Sequence, residues 1–116
     1  MLPKIHRLSL RTEFKKLKLE GRLVRGNFFS LLVRVRQDNQ PSRFAFIVSK
    51  KVHLHSVKRN YVRRLMVEAV RNVLPKVELN LDGVFLVRQT ILNQKLPEIT
   101  KAVNQILNEK NHPQVN

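Results

Sequence analysis

The sequence predicts an α+β fold, with helices packed on a small mixed sheet in the order α-β-β-α-β-α. Three observations carry that reading. Apolar residues recur at helical spacing in three separate stretches. Three short runs between them are apolar and rich in β-branched and aromatic side chains, as strands are. The chain has 116 residues, the size of one domain, and its 42% of apolar residues suffice for one modest core.

The first helix is expected over residues 10–20. Leu10, Phe14 and Leu17 recur at helical spacing, with Leu19 as a further candidate; Ser9 or Thr12 would cap its start and Gly21 would stop it. Residues 27–36 read as a strand with Phe29, Leu31, Val33 and Val35 on one face, and Phe28, Ser30, Leu32, Arg34 and Arg36 on the other. The turn-forming stretch 37–41 predicts a hairpin-like return into a second strand, residues 43–49, apolar enough for a central position. A long helix follows from Ser56, its expected N-cap, to Leu74. Val62, Leu65, Met66, Ala69, Val70 and Val73 form its apolar stripe, and Pro75 closes it. Residues 83–88 read as a third strand. Residues 95–109 read as the last helix, with Leu96, Ile99, Val103, Ile106 and Leu107 inward. The whole chain, 1–116, is expected to act as a single domain with a frayed polar tail from about residue 109.

Charge is the strongest functional signal. The chain carries 23 Lys and Arg against 8 Asp and Glu, a net +15. Such an excess costs self-repulsion in the compact state and calls for a polyanionic partner. A membrane is a poor candidate, because no apolar run approaches the roughly 20 residues a spanning helix needs. The start, Met1 to Arg7, has no apolar signal core. Cysteine is absent, which excludes disulfides and thiolate metal sites and suits a reducing cytoplasm. Nucleic acid remains.

The cations concentrate at residues 1–25 and 50–71. In the second region Lys50 and Lys51 precede the long helix, and Lys58, Arg59, Asn60, Tyr61, Arg63, Arg64 and Arg71 lie on it. At 100° per residue, Asn60, Arg63, Arg64 and Arg71 fall opposite the apolar stripe, with Arg59 at the edge. Guanidinium groups match phosphate oxygens two at a time, and a helix N-terminus favours the same anion. The alternative is a merely solvated helix face. The scarcity of acidic partners, Glu68 alone, favours RNA or DNA. His53 and His55 have no cysteine or acid beside them, so no metal site is expected, and no catalytic arrangement is visible.

The run Ser49-Lys50-Lys51, a seven-residue spacer, then Arg59-Asn60-x-x-Arg63-Arg64-Leu65 with Glu68 after it, resembles the signature of the protein subunit of bacterial ribonuclease P. Phe14, Gly21, the strand Arg43 to Val48, which resembles the family's central strand, and Asp82-Gly83-Val84-Phe85-Leu86-Val87-Arg88 extend the resemblance over most of the chain. The resemblance implies an α/β sandwich on a four-stranded sheet, with a left-handed β-α-β crossover around the basic helix. It implies an endoribonuclease in which an RNA subunit and its Mg²⁺ ions are the catalyst, with no catalytic residue expected from the protein and no cofactor assigned to it. The partners so implied are that catalytic RNA, contacted by Lys50, Lys51, Arg59, Asn60, Arg63 and Arg64, and precursor tRNA, whose 5′ leader lies in a cleft at Phe14.

The sequence departs from the family at three places: Tyr61 and Val67 stand where a basic residue is usual, and Lys18 where a second cleft aromatic is frequent. Tyr61 either stacks on RNA or extends packing. Phe14 and Phe28 are each either cleft or core residues, and Arg88 either a cleft or an ordinary surface residue. A ribosomal-type or general nucleic-acid-binding protein is the alternative function, since composition alone does not separate the two.

Overall fold

The computed structural model describes residues 1–108; the tail expected to fray lies outside the described residues. The order is α1 (Leu10–Glu20), β1 (Arg22–Arg25), β2 (Phe29–Val35), β3 (Arg43–Ile47), α2 (Ser56–Val73), β4 (Leu81–Val87) and α3 (Leu96–Leu107), with short 3₁₀ turns at Lys4–His6, Leu74–Lys76 and Gln89–Ile91. The strands form one mixed sheet in the order β1-β2-β4-β3. β2 is antiparallel to β1 and β4, β3 is parallel to β4, and α2 makes the β3-to-β4 crossover.

Period-two alternation gives β2, β3 and β4 two apolar faces each. Phe29, Leu31 and Val33 of β2, Phe44 of β3 and Leu81, Phe85 and Val87 of β4 join α2 and α3 in the larger core. Phe85 is its centre, edge-on to Phe29 at 5.2 Å and stacked on Phe46 at 5.6 Å. Leu32, Ala45 and Val84 point the other way and pack with Leu8, Leu17, Leu10 and Phe14 beneath α1.

Several expectations need correction. β1 is an additional strand: Gly21 and Gly26 bound a four-residue run whose ends are charged, and it pairs on one side only. β2 and β3 do not form a hairpin, because β4 inserts between them. The inner strands are therefore β2 and β4, and β3 is an edge, its apolar run explained by cores on both faces and by a bridge from Arg7 to Phe44 along its outer side. Ser56 is the first residue of α2; His55 is its N-cap and makes no side-chain cap bond. Gly21 ends α1 in extended geometry, φ −90°. Its smallness is needed for close approach, since a Cβ there would stand 2.7 Å from the Leu17 carbonyl oxygen and 2.9 Å from that of Val33. Leu19 is exposed.

Candidate nucleic-acid interface

α2 buries Val62, Met66, Ala69, Val70 and Val73 and so turns its charged residues outward. Lys58, Asn60, Tyr61, Arg64 and Arg71 are exposed, and Arg59 and Arg63 half-buried. The loop before the helix exposes Lys50 and Lys51. It is held by Arg59, whose Nη1 donates to the carbonyls of His53, 3.0 Å, and Leu54, 2.7 Å. His53 Nδ1 accepts the His55 backbone N–H at 3.1 Å, which tightens the same loop. Lys50, Lys51, His53 and His55 thereby line a hollow of about 430 Å³ that Gln89 closes. Further along, Arg63 Nη1 donates to Asn60 Oδ1 at 2.8 Å. Asn60, Arg63 and Arg64 then face a groove of about 630 Å³ whose other walls are Met1, Val57, Val67 and Glu68. Arg71 reaches Glu68 only at 3.5 Å, in an exposed pair worth little. Among the described residues no carboxylate pairs with Lys50, Lys51, Lys58, Arg59, Arg63 or Arg64.

The acidic residues gather elsewhere. Asp82 of β4 is 1% exposed and has Arg34 of β2 and Arg43 of β3 as its cross-strand neighbours. Arg34 Nη2 donates to it at 2.7 Å, and Arg43 donates through Nε and Nη2 at 2.9 Å each. The two arginines also face Glu13 of α1, at 3.6 and 3.7 Å, and Arg34 binds Glu20 at 2.6 Å. Burial pushes the Asp82 carboxyl up, but the hydrogen bonds from Arg43 and Arg34 outweigh it and hold the group below the usual carboxylate range. At the rim Arg36 binds Asp38, whose carboxyl is lowered to about 2 by the Arg36 hydrogen bond and the Gln40 N–H. Four of the eight acidic residues are thus committed to three arginines at one end of the sheet. Sequence reasoning missed this network, because strand register alone brings Arg34, Arg43 and Asp82 together.

The cleft candidates separate. Phe14 is half-buried in the smaller core, and the Lys18 ammonium stands 4.4 Å from its ring centroid, one turn along α1. Phe28 lies before β2 begins, so strand parity does not apply to it, and it packs against the larger core instead. Arg88 hydrogen-bonds the Gly26 carbonyl and Ser30 Oγ, and Thr90 holds the Asn27 carbonyl at 2.7 Å; together they pin the β1–β2 turn. Phe14 and Lys18 are therefore together, while Phe28 and Arg88 stand with the turn.

Among the described residues no three His, Asp or Glu side chains converge as a metal site would require, and the buried carboxylate is saturated by arginine. Nor does any helix of the described residues have the length and apolarity to cross a membrane.

The family model for Ribonuclease P matches residues 2–111. The chain is 28% identical over 115 residues to the ribonuclease P protein component of Microcystis aeruginosa, covering 95% of this chain and 94% of that one. It is 42% identical over 87 residues to the component from Gluconacetobacter diazotrophicus, covering 75% and 72%. Its fold is similar to that of the RNase P protein from Thermotoga maritima, solved in complex with 1-(4-fluorophenyl)-2-thiourea, with TM-score 0.79, 21% identity and coverage of 89% and 98%. The Staphylococcus aureus RNase P protein gives TM-score 0.76, 22% identity and coverage of 90% and 94%.

Proposed function

The chain belongs to the ribonuclease P protein family, and from that premise we propose that α2 and the loop before it hold the catalytic RNA, while the α1 side of the sheet receives the 5′ leader of precursor tRNA. The chain is the RNA-binding protein component of an endoribonuclease, working with an RNA subunit on precursor tRNA. The single observation that carries the division of surfaces is the contrast between the two ends of the molecule. The arginines around Asp82 are neutralised internally, whereas Lys50, Lys51, Lys58, Arg63 and Arg64 meet no carboxylate among the described residues.

The protein's part in the reaction is positioning and electrostatic. Cations of α2 lower the repulsion between RNA strands brought together at the catalytic centre. Lys18 and Phe14 offer a single strand one charge and one flat ring. Mg²⁺ belongs with the RNA subunit, and the buried Asp82 carboxylate is already held by Arg34 and Arg43. The cytoplasm, where precursor tRNA is made, is the place of action. The chain, 1–116, acts as a single RNA-binding domain, a reading supported by the one sheet that all four strands share among the described residues.

The test is binding of the catalytic RNA at several salt concentrations. Log affinity falls linearly with log salt, by about 0.7 to 0.9 per phosphate contacted. A flat dependence overturns the reading. So does cleavage of precursor tRNA by purified protein without RNA.

A further inference from the structure

Tyr61 is the only tyrosine in the chain, which has no tryptophan. It follows Asn60 on α2 and keeps 49% of its surface exposed, although an aromatic ring gains most from being covered. The core has no place for it, because α2 turns Val62 and Met66 inward instead. The helix surface next to the ring mixes charge with bare aliphatic surface. The Lys58 ammonium stands 5.7 Å from its centroid. Val57, one turn earlier on the helix, is 77% exposed. Arg64, one turn later, is exposed as well.

A face that met only water or only phosphate would have no use for this apolar surface. A protein partner would have to bring both acidic groups for Lys58 and Arg64 and a flat side chain for the phenol ring, whereas a nucleotide carries charge and flat face in one unit. An RNA strand with an unstacked base answers both features, since it is anionic and carries flat faces that aromatic rings cover. We propose that Tyr61 stacks on an unpaired nucleobase of the RNA bound along α2, with Lys58 at that nucleotide's phosphate and Val57 against the edge of the base. The proposal rests on α2 being an RNA-binding face, and it adds that the contact there reads an unpaired nucleotide as well as phosphate charge.

The chain provides its own probe. With one tyrosine and no tryptophan, tyrosine emission reports on Tyr61 alone. Its fluorescence lifetime is measured while catalytic RNA is added, because a lifetime is not distorted by RNA absorbing the exciting light. Binding is followed in parallel by filter retention, for the parent chain, Tyr61→Phe and Tyr61→Leu. The expected result is a shortened lifetime that saturates with binding. Tyr61→Phe keeps nearly the parent affinity. Tyr61→Leu, which keeps apolar area and loses the ring, binds roughly 5- to 100-fold more weakly with an unchanged salt slope. Retention of RNA with an unchanged lifetime and parent-like Tyr61→Leu binding overturns the stacking while leaving α2 as the RNA face. Failure of the parent chain to retain RNA overturns both.

Discussion

Arg59 and Arg64 lie five residues apart on α2 and divide two tasks between them. Arg64 is exposed and has no carboxylate partner among the described residues, so its guanidinium is available to phosphate. Arg64→Ala is expected to weaken binding of the catalytic RNA about tenfold, through loss of one charge-assisted contact, and to lower the salt slope by about one phosphate's share. Its unfolding free energy should stay within about 0.5 kcal/mol of the parent, as for most surface substitutions. Arg59 also holds the 53–54 carbonyls. Arg59→Ala is therefore expected to cost about 1 kcal/mol of stability as well as RNA affinity, and Arg59→Lys to restore charge without restoring the loop. Urea unfolding and RNA affinity, measured on the same samples, separate the two tasks. Arg88 teaches the same lesson. The sequence left it as a cleft or surface residue, and the structure gives its guanidinium to Gly26 and Ser30, because long side chains at strand ends bond to whatever the neighbouring turn presents.

α1 is attached to the sheet by a small core and by charge. Glu13 and Glu20 reach Arg34 and Arg43, and both arginines converge on buried Asp82. Removing one charge from a buried cluster leaves the others uncompensated, so Asp82→Asn is expected to destabilise the fold by about 3 kcal/mol at neutral pH, measured by urea unfolding. The folded carboxyl titrates below its ordinary value, so its contribution is fully present above about pH 4 and is lost as pH falls through the lowered folded value. Thermal melts of the parent between pH 5 and 2 should therefore fall more steeply than those of Asp82→Asn; parallel curves would deny the carboxylate that role. This attachment was not legible in the sequence, where Arg34, Arg43 and Asp82 are 9 and 39 residues apart, because pairing across strands depends on register, which no local pattern states. The same blindness produced the expected hairpin of β2 and β3, which share a turn in sequence and have β4 between them in space. Helices fared better: the stripes of α1, α2 and α3 lie within three or four residues along the chain, so their buried faces were readable directly.

The molecule as a whole segregates charge about one sheet. Half of the acidic residues gather at the end occupied by Asp82, while the cations Lys50, Lys51, Lys58, Arg63 and Arg64 of α2 and its preceding loop meet no carboxylate among the described residues. The basic motif of α2 was legible because it is contiguous in sequence; the pairing of Lys18 with Phe14 was half legible, as one helical turn, while its relation to the second face was not. α1 packs on the smaller core and α2 on the larger, so the two surfaces proposed for RNA lie on opposite faces of the sheet. That separation makes them independently removable. Lys18→Ala deletes an exposed ammonium that stands over Phe14 and no core packing, so the fold and the affinity for catalytic RNA should remain. Only precursor tRNA carries a leader, so its preference over mature tRNA should drop about fivefold, the worth of ~1 kcal/mol. Arg64→Ala should show the reverse pattern, with weaker assembly and an unchanged preference once assembled. Both affinities are measured on each variant, together with the double variant, whose effects should add because the sites share no partner. Equal loss of both affinities in both variants would mean one diffuse basic surface, in which the placement of α1 and α2 on opposite sides of the sheet has no functional consequence.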